Sequence, residues 1–167
     1  MIIVCGLQAV QNQVDTHGVG RVVSLLGPDT AHQNFKGIDA NQHLKLTFHD
    51  VVEMMEGFSA PQAVDAQKLV EFIGGWDRKQ PMLIHCWAGI SRSTASAYTA
   101  LCMLRPKVDE EELAFELRAA SPSATPNRLI ISLVDDILGR KGRMSRAVEK
   151  IGRGENAFEG KPFILRP

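Results

Sequence analysis

Aromatic residues are scarce, at 6% with a single tyrosine, and the formal charges cancel to zero over 167 residues. Affinity for a phosphate backbone needs an excess of Lys and Arg, so charge neutrality argues against a general nucleic-acid binder. Cysteine is sparse as well. Cys5, Cys86 and Cys102 are odd in number and widely spaced, with no CxxC pair, which disfavours a disulfide framework and a four-ligand zinc site. Reduced thiols in a cytoplasmic setting are the expectation. No stretch approaches eighteen apolar residues, and the opening MIIVCG lacks a basic region and a secretory core, so neither a membrane span nor a leader is expected. Internal repeats and low-complexity blocks are missing too.

What is present suits one globular domain: 44% hydrophobic and 23% charged residues. A chain of this length buries enough apolar surface to fold unaided, so no metal or cofactor is expected for stability. Charge is uneven, because residues 139–167 hold eight basic side chains against three acidic. The division expected is therefore a domain over 1–140 and a basic extension over 141–167, solvated apart from one short helix at Arg143–Ile151.

Short apolar runs alternate with longer helical ones, which predicts an α/β fold: a mainly parallel central sheet of four or five strands flanked by helices. Strands are expected at Met1–Cys5, Arg21–Leu26, His43–Phe48 and Met82–Cys86. Asp29–Asn41 reads as a loop. Ala66, Leu69, Val70 and Ile73 form a helical stripe, opened by Ser59 and Pro61 and closed by Gly74 and Gly75. Asp109 with Glu112 offers a capping box, and Thr125–Pro126 opens a helix with an apolar face from Leu129 to Leu138. The helix from Ser91 to Leu104 carries small residues, Ala95, Ala97 and Ala100, and is expected to lie close on the sheet. The segment VVEMMEGFS after Asp50 reads as core packing, and His17, His32 and His43 as surface or loop residues.

The chemistry concentrates between Met82 and Ser93. A strand passes through the glycine-containing loop WAGIS into a helix N-terminus, where successive N–H groups and the helix dipole favour an anion. A thiol opens this loop and a guanidinium closes it. Thiols at helix N-termini near cations ionise at about pH 3.5–7.5 rather than about 8.5, so Cys86 is expected to be a thiolate near neutrality. Arg92 offers two parallel donors to a phosphate. Ser93 can donate to the sulfur, His85 can orient the loop, and Gly89 supplies conformational freedom.

HCWAGISRS resembles the signature loop of the cysteine-dependent protein tyrosine phosphatase superfamily, His-Cys-x5-Arg-Ser/Thr, and is most similar to its compact dual-specificity branch, where the loop lies mid-chain. The likeness extends over roughly residues 20 to 140. It implies hydrolysis of a phosphomonoester, on a protein or a small molecule, through a phosphocysteine. Cys86 would be the nucleophile, Arg92 the oxyanion holder and Ser93 the thiolate stabiliser, with Trp87, Ala88, Gly89, Ile90, Ser91 and Arg92 forming the phosphate cradle. It also requires an aspartic acid, for which Asp50 at a strand end is preferred to Asp39. Asn127 has two readings, helix cap and polar support for the site. A non-catalytic phosphate-binding module and a thiol-dependent arsenate reductase or rhodanese-like enzyme stay open as alternatives.

Overall fold

The computed structural model describes residues 1–167. Four strands, β1 (Ile2–Cys5), β2 (Arg21–Leu26), β3 (His43–Thr47) and β4 (Met82–His85), run parallel, and β5 (Phe163–Leu165) closes the far edge antiparallel to β1. The order across the sheet is β3-β2-β4-β1-β5. β4 is therefore central, and the loop that leaves its carboxyl end issues from the middle of the molecule.

Six helices flank the sheet: α1 (Val10–His17), α2 (Ala63–Gly74), α3 (Arg92–Leu104), α4 (Glu110–Ala120), α5 (Arg128–Ile137) and α6 (Arg143–Ile151). Ile3, Val22 and Leu83 pack on one face with Val10 and Val14 of α1, while Ile2, Val4, Val23 and Ile84 pack on the other with α2 to α6. Ala95, Ala97 and Ala100 are fully buried, as expected of a helix lying close to the sheet. None of the helices is long and apolar enough to cross a membrane.

Helix starts use the local chemistry, with shifts of detail. Gln62 and Asp65 form the capping box of α2, downstream of Ser59 and Pro61. Asp109 caps α4 through the Glu111 N–H, without a return bond from Glu112. Asn127, one residue past Pro126, caps α5 through the Ile130 N–H.

Residues 141–167 depart from a solvated extension. Met144, Ala147, Val148 and Ile151 of α6, with Phe163 and Leu165 of β5, are buried in the main core. The basic side chains explain how charge and burial coexist. Arg140 and Arg143 both bond Glu110, at 2.8 and 3.0 Å, while the buried Asp135 carboxylate accepts the Gly142 and Met144 N–H groups at the start of α6.

The loop after Asp50 departs as well. Val52, Met54, Met55 and Phe58 are exposed rather than in the core. Its ends are pinned by a reciprocal pair, His49 N–H to Ser59 O at 2.8 Å and Ser59 N–H to His49 Nδ1 at 2.9 Å, and the His49 ring meets Phe58 edge-on. A loop closed at its neck projects its middle outwards, so these apolar side chains do not reach the sheet.

Candidate active site

The loop from Cys86 to Arg92 is held from outside by its carbonyls. Trp87 O accepts from Leu7 N–H (2.9 Å), Ala88 O from Gly160 N–H (2.8 Å), Ile90 O from Thr125 N–H (2.9 Å) and Ser91 O from Asn127 N–H (3.3 Å). A planar peptide points its N–H opposite its C=O, so outward carbonyls turn the amides inward. The amides of Trp87, Ala88, Ile90, Ser91 and Arg92 donate to no protein acceptor, and Gly89 N–H points at Cys86 Sγ at 3.2 Å. The result is a ring of donors around a sulfur at the N-terminus of α3, a geometry that accepts a tetrahedral oxyanion.

Gly89 is required at its position. Its φ is +71°, and a Cβ there would lie 2.7 Å from the Cys5 carbonyl carbon and the Gly6 nitrogen. Both are backbone atoms, so the loop sits directly against the end of β1.

Cys86 is buried, and its sulfur lies 3.1 Å from Ser93 Oγ. Arg92 is also buried. Its Nη1 donates to Phe48 O at 3.0 Å, while its Nε has no hydrogen-bond partner and lies 3.7 Å from Asp50 Oδ2. One corner of the guanidinium is thus anchored and the rest is uncommitted. Burial pushes the thiols of Cys5 and Cys102 up to about 12. They are small core residues, as expected.

Asp50 is brought to the loop. Its Oδ1 accepts from Ser91 Oγ at 2.7 Å and from Asn127 Nδ2 at 2.8 Å, and Asn127 Nδ2 also donates to Val51 O. Asn127 thus caps α5 with its Oδ1 and bonds the Asp50 carboxylate with its Nδ2. Asp39 is elsewhere, in the capping box of a short 3-10 turn with Gln42.

Behind the loop, His85 is buried, and its Nε2 meets Ser24 Oγ at 2.6 Å; Ser24 Oγ in turn meets His43 Nε2 at 2.7 Å. Burial holds both imidazoles down to about 4, against the weaker upward pull of the Cys86 backbone on His85, so both rings are neutral at pH 7. His43 is thus a half-buried member of this chain and not a surface residue. Ser24 and His43 were missed as site residues, although a lone hydroxyl in the apolar strand RVVSLL is a readable signal.

The segment 153–160 is also part of the site. Gly160 grips Ala88, Phe158 packs edge-on against Trp87 with ring centroids 5.5 Å apart, and Arg153 with Phe158 lines a cleft of about 610 Å³ beside Ile90 and Ser91. No local pattern in the sequence announces this wall. No group of three or more His, Cys, Asp or Glu side chains is gathered in a way that could hold a metal ion.

No family model matches the sequence, and no curated protein does. Solved structures do. The Cydia pomonella PTP-2 phosphatase is 22% identical, over 81% of this chain and 84% of that one, with a TM-score of 0.62. DUSP15 is 16% identical over 93% and 94% with a TM-score of 0.63, and human DUSP28 is 16% identical over 84% and 89% with a TM-score of 0.63. The chain therefore has the compact fold shared by these tyrosine and dual-specificity phosphatases.

Proposed function

We propose that the protein is a cysteine-dependent phosphomonoester hydrolase acting on a phosphorylated protein or a small phosphomonoester. The observation that carries this reading is the coincidence of three groups at one point: a thiol inside a ring of inward amides, a buried guanidinium, and a carboxylate tied to the loop by Ser91 and Asn127.

The phosphate oxygens are held by the loop amides of Trp87 to Arg92 and by the free part of Arg92, whose planar fork suits two oxygens at once. Cys86 Sγ attacks phosphorus, and the P–O bond to the leaving group breaks. Asp50 delivers its proton to the departing oxygen. Water then attacks the phosphocysteine, Asp50 takes its proton, and the P–S bond breaks to release phosphate and thiolate. Ser93 stabilises that thiolate by a hydrogen bond. His85, Ser24 and His43 keep the loop in register from behind.

The test is a pre-steady-state assay on para-nitrophenyl phosphate. The protein gives a nitrophenolate burst stoichiometric with enzyme if phosphocysteine breakdown is slow, or steady turnover if it is not, and Cys86→Ser abolishes either. Turnover that survives Cys86→Ser overturns the mechanism. No turnover, with phosphate or vanadate still bound, converts the reading to a phosphate-binding module.

A further inference from the structure

Asp50 has to present a proton at one point above the cradle, yet Val52 to Ser59, which follow it, are all exposed. Inside that stretch the one backbone bond is Phe58 N–H to Met55 O. The loop itself therefore holds nothing in place. Asp50 is held by its tip, because Ser91 Oγ and Asn127 Nδ2 both donate to Oδ1, at 2.7 and 2.8 Å. With Oδ1 committed to two donors, the proton to be delivered rides on Oδ2, and the direction of Oδ2 depends on the main chain beneath it.

That main chain is fixed as far as Phe48, whose N–H donates to Leu26 O at 2.9 Å and whose carbonyl accepts from Arg92 Nη1 at 3.0 Å. One residue separates Phe48 from Asp50. It is His49, and it bonds to a single partner twice: its N–H donates to Ser59 O at 2.8 Å, and its ring Nδ1 accepts the Ser59 N–H at 2.9 Å. Ring and main chain together make a clasp. A ring nitrogen that accepts an N–H carries no proton, so the proton of this imidazole is on Nε2. The only other ring contact is the edge-on packing against Phe58, and no bond from His49 reaches the signature loop.

We infer that His49 is a positioning residue for the proton-transfer step: by clasping Ser59 through Nδ1 it sets the main chain of Asp50, and so aims Oδ2 at the leaving oxygen. This rests on the phosphatase reading of the cradle, and adds to it a residue that touches neither phosphate nor sulfur. One neutral hydrogen bond shifts an equilibrium by about threefold to tenfold, and a catalytic group misplaced by about 1 Å loses about 10²-fold, so an unclasped Asp50 loses about tenfold or more.

The readout is the leaving group, because an acid matters in proportion to how poorly the departing oxygen bears charge. Phenolate needs the proton, whereas para-nitrophenolate leaves with little help. The value of kcat/KM, which covers the steps through P–O cleavage, is measured on phenyl phosphate and on para-nitrophenyl phosphate for the parent protein, His49→Phe and His49→Asn. Phe keeps a ring against Phe58 and has no acceptor; Asn has no ring, but its Oδ1 stands where Nδ1 stood. In His49→Phe the rate falls about tenfold or more on phenyl phosphate and at most about threefold on para-nitrophenyl phosphate, and His49→Asn restores the parent ratio. Inhibition by vanadate is the same in all three, since the cradle is untouched. A uniform loss on both substrates in His49→Phe overturns the clasp, as does an unshifted ratio in that variant or a ratio that His49→Asn fails to restore. A parent protein that turns over neither substrate sinks the phosphatase reading and this role with it, whereas a parent that turns over both beside an unshifted His49→Phe ratio sinks the role of His49 alone.

Discussion

Replacing Gly89 by alanine tests whether the loop depends on close contact with β1. Two costs follow from the structure. The first is conformational: at φ +71° an L-residue is left-handed, which costs about 1–2 kcal/mol. The second is steric, because the new Cβ would lie 2.7 Å from the Cys5 carbonyl carbon and the Gly6 nitrogen, roughly 0.7 Å inside ordinary 3.4 Å contact. Neither neighbour is a side-chain tip that can swing away, so the loop must shift by a comparable distance. Gly139→Ala separates the two costs, since Gly139 has φ +62° with nothing within 4 Å of its Cβ position. It should lower Tm by roughly 2–8 °C, at about 2–4 °C per kcal/mol for a chain of this size, with turnover of para-nitrophenyl phosphate nearly unchanged. Gly89→Ala should lower Tm further and cut kcat/KM by about 10²-fold, the usual penalty when donors are misplaced by near 1 Å. Scanning fluorimetry and initial rates on both variants make the comparison. If Gly89→Ala matches Gly139→Ala in Tm and retains full turnover, the loop is not wedged against β1 and the donor ring is not what activates the site.

Asp50→Asn keeps the bonds that Ser91 and Asn127 make to the side-chain oxygen but removes the proton, so phosphotyrosine turnover should fall by about 10²–10⁴; unchanged rates at every pH would reassign the acid. Acid should weaken the fold through His85. With its imidazole held near 4 against about 6.5 unfolded, stability is complete above pH 6.5 and declines as pH falls toward 4, by about 3 kcal/mol, and His85→Gln should flatten that part of the urea-unfolding profile; a slope that the substitution leaves alone refutes the assignment. Ending the chain at Gly139 removes Met144, Val148, Ile151, Phe163 and Leu165 from the core, at about 1.5–3 kcal/mol each, comparable with the whole stability of a domain. Near-ultraviolet circular dichroism should show no fixed tertiary structure, and a cooperative, folded 1–139 fragment would contradict the integration of α6 and β5.

The parallel strands and the central helix could be read from the sequence because their signals are local: continuous apolar runs, a glycine-containing turn between strand and helix, and a row of alanines. The placement of Cys86, Arg92 and Ser93 followed from the same nine-residue stretch, and Asp50 from its position at the end of a strand. What was hidden depends on distance along the chain. α1 has only Val10 and Val14 buried among polar neighbours, too faint a stripe to read, and β5 is three residues long at a sheet edge. The basic composition of residues 139–167 suggested solvent exposure because charge counts do not show that Glu110 and Asp135, on other helices, receive those cations and amides. Met54, Met55 and Phe58 misled in the opposite direction, because burial tendency takes no account of the His49–Ser59 neck that turns their loop outwards.

The grip of Gly160 on Ala88 and of Leu7 on Trp87 has a consequence during synthesis. When the signature loop leaves the ribosome, one of its tethers, Gly160, still lies about seventy residues downstream, untranslated. A nascent chain thus carries Cys86 without the finished collar around it, and the ring of inward amides is complete only as the final edge of the sheet locks.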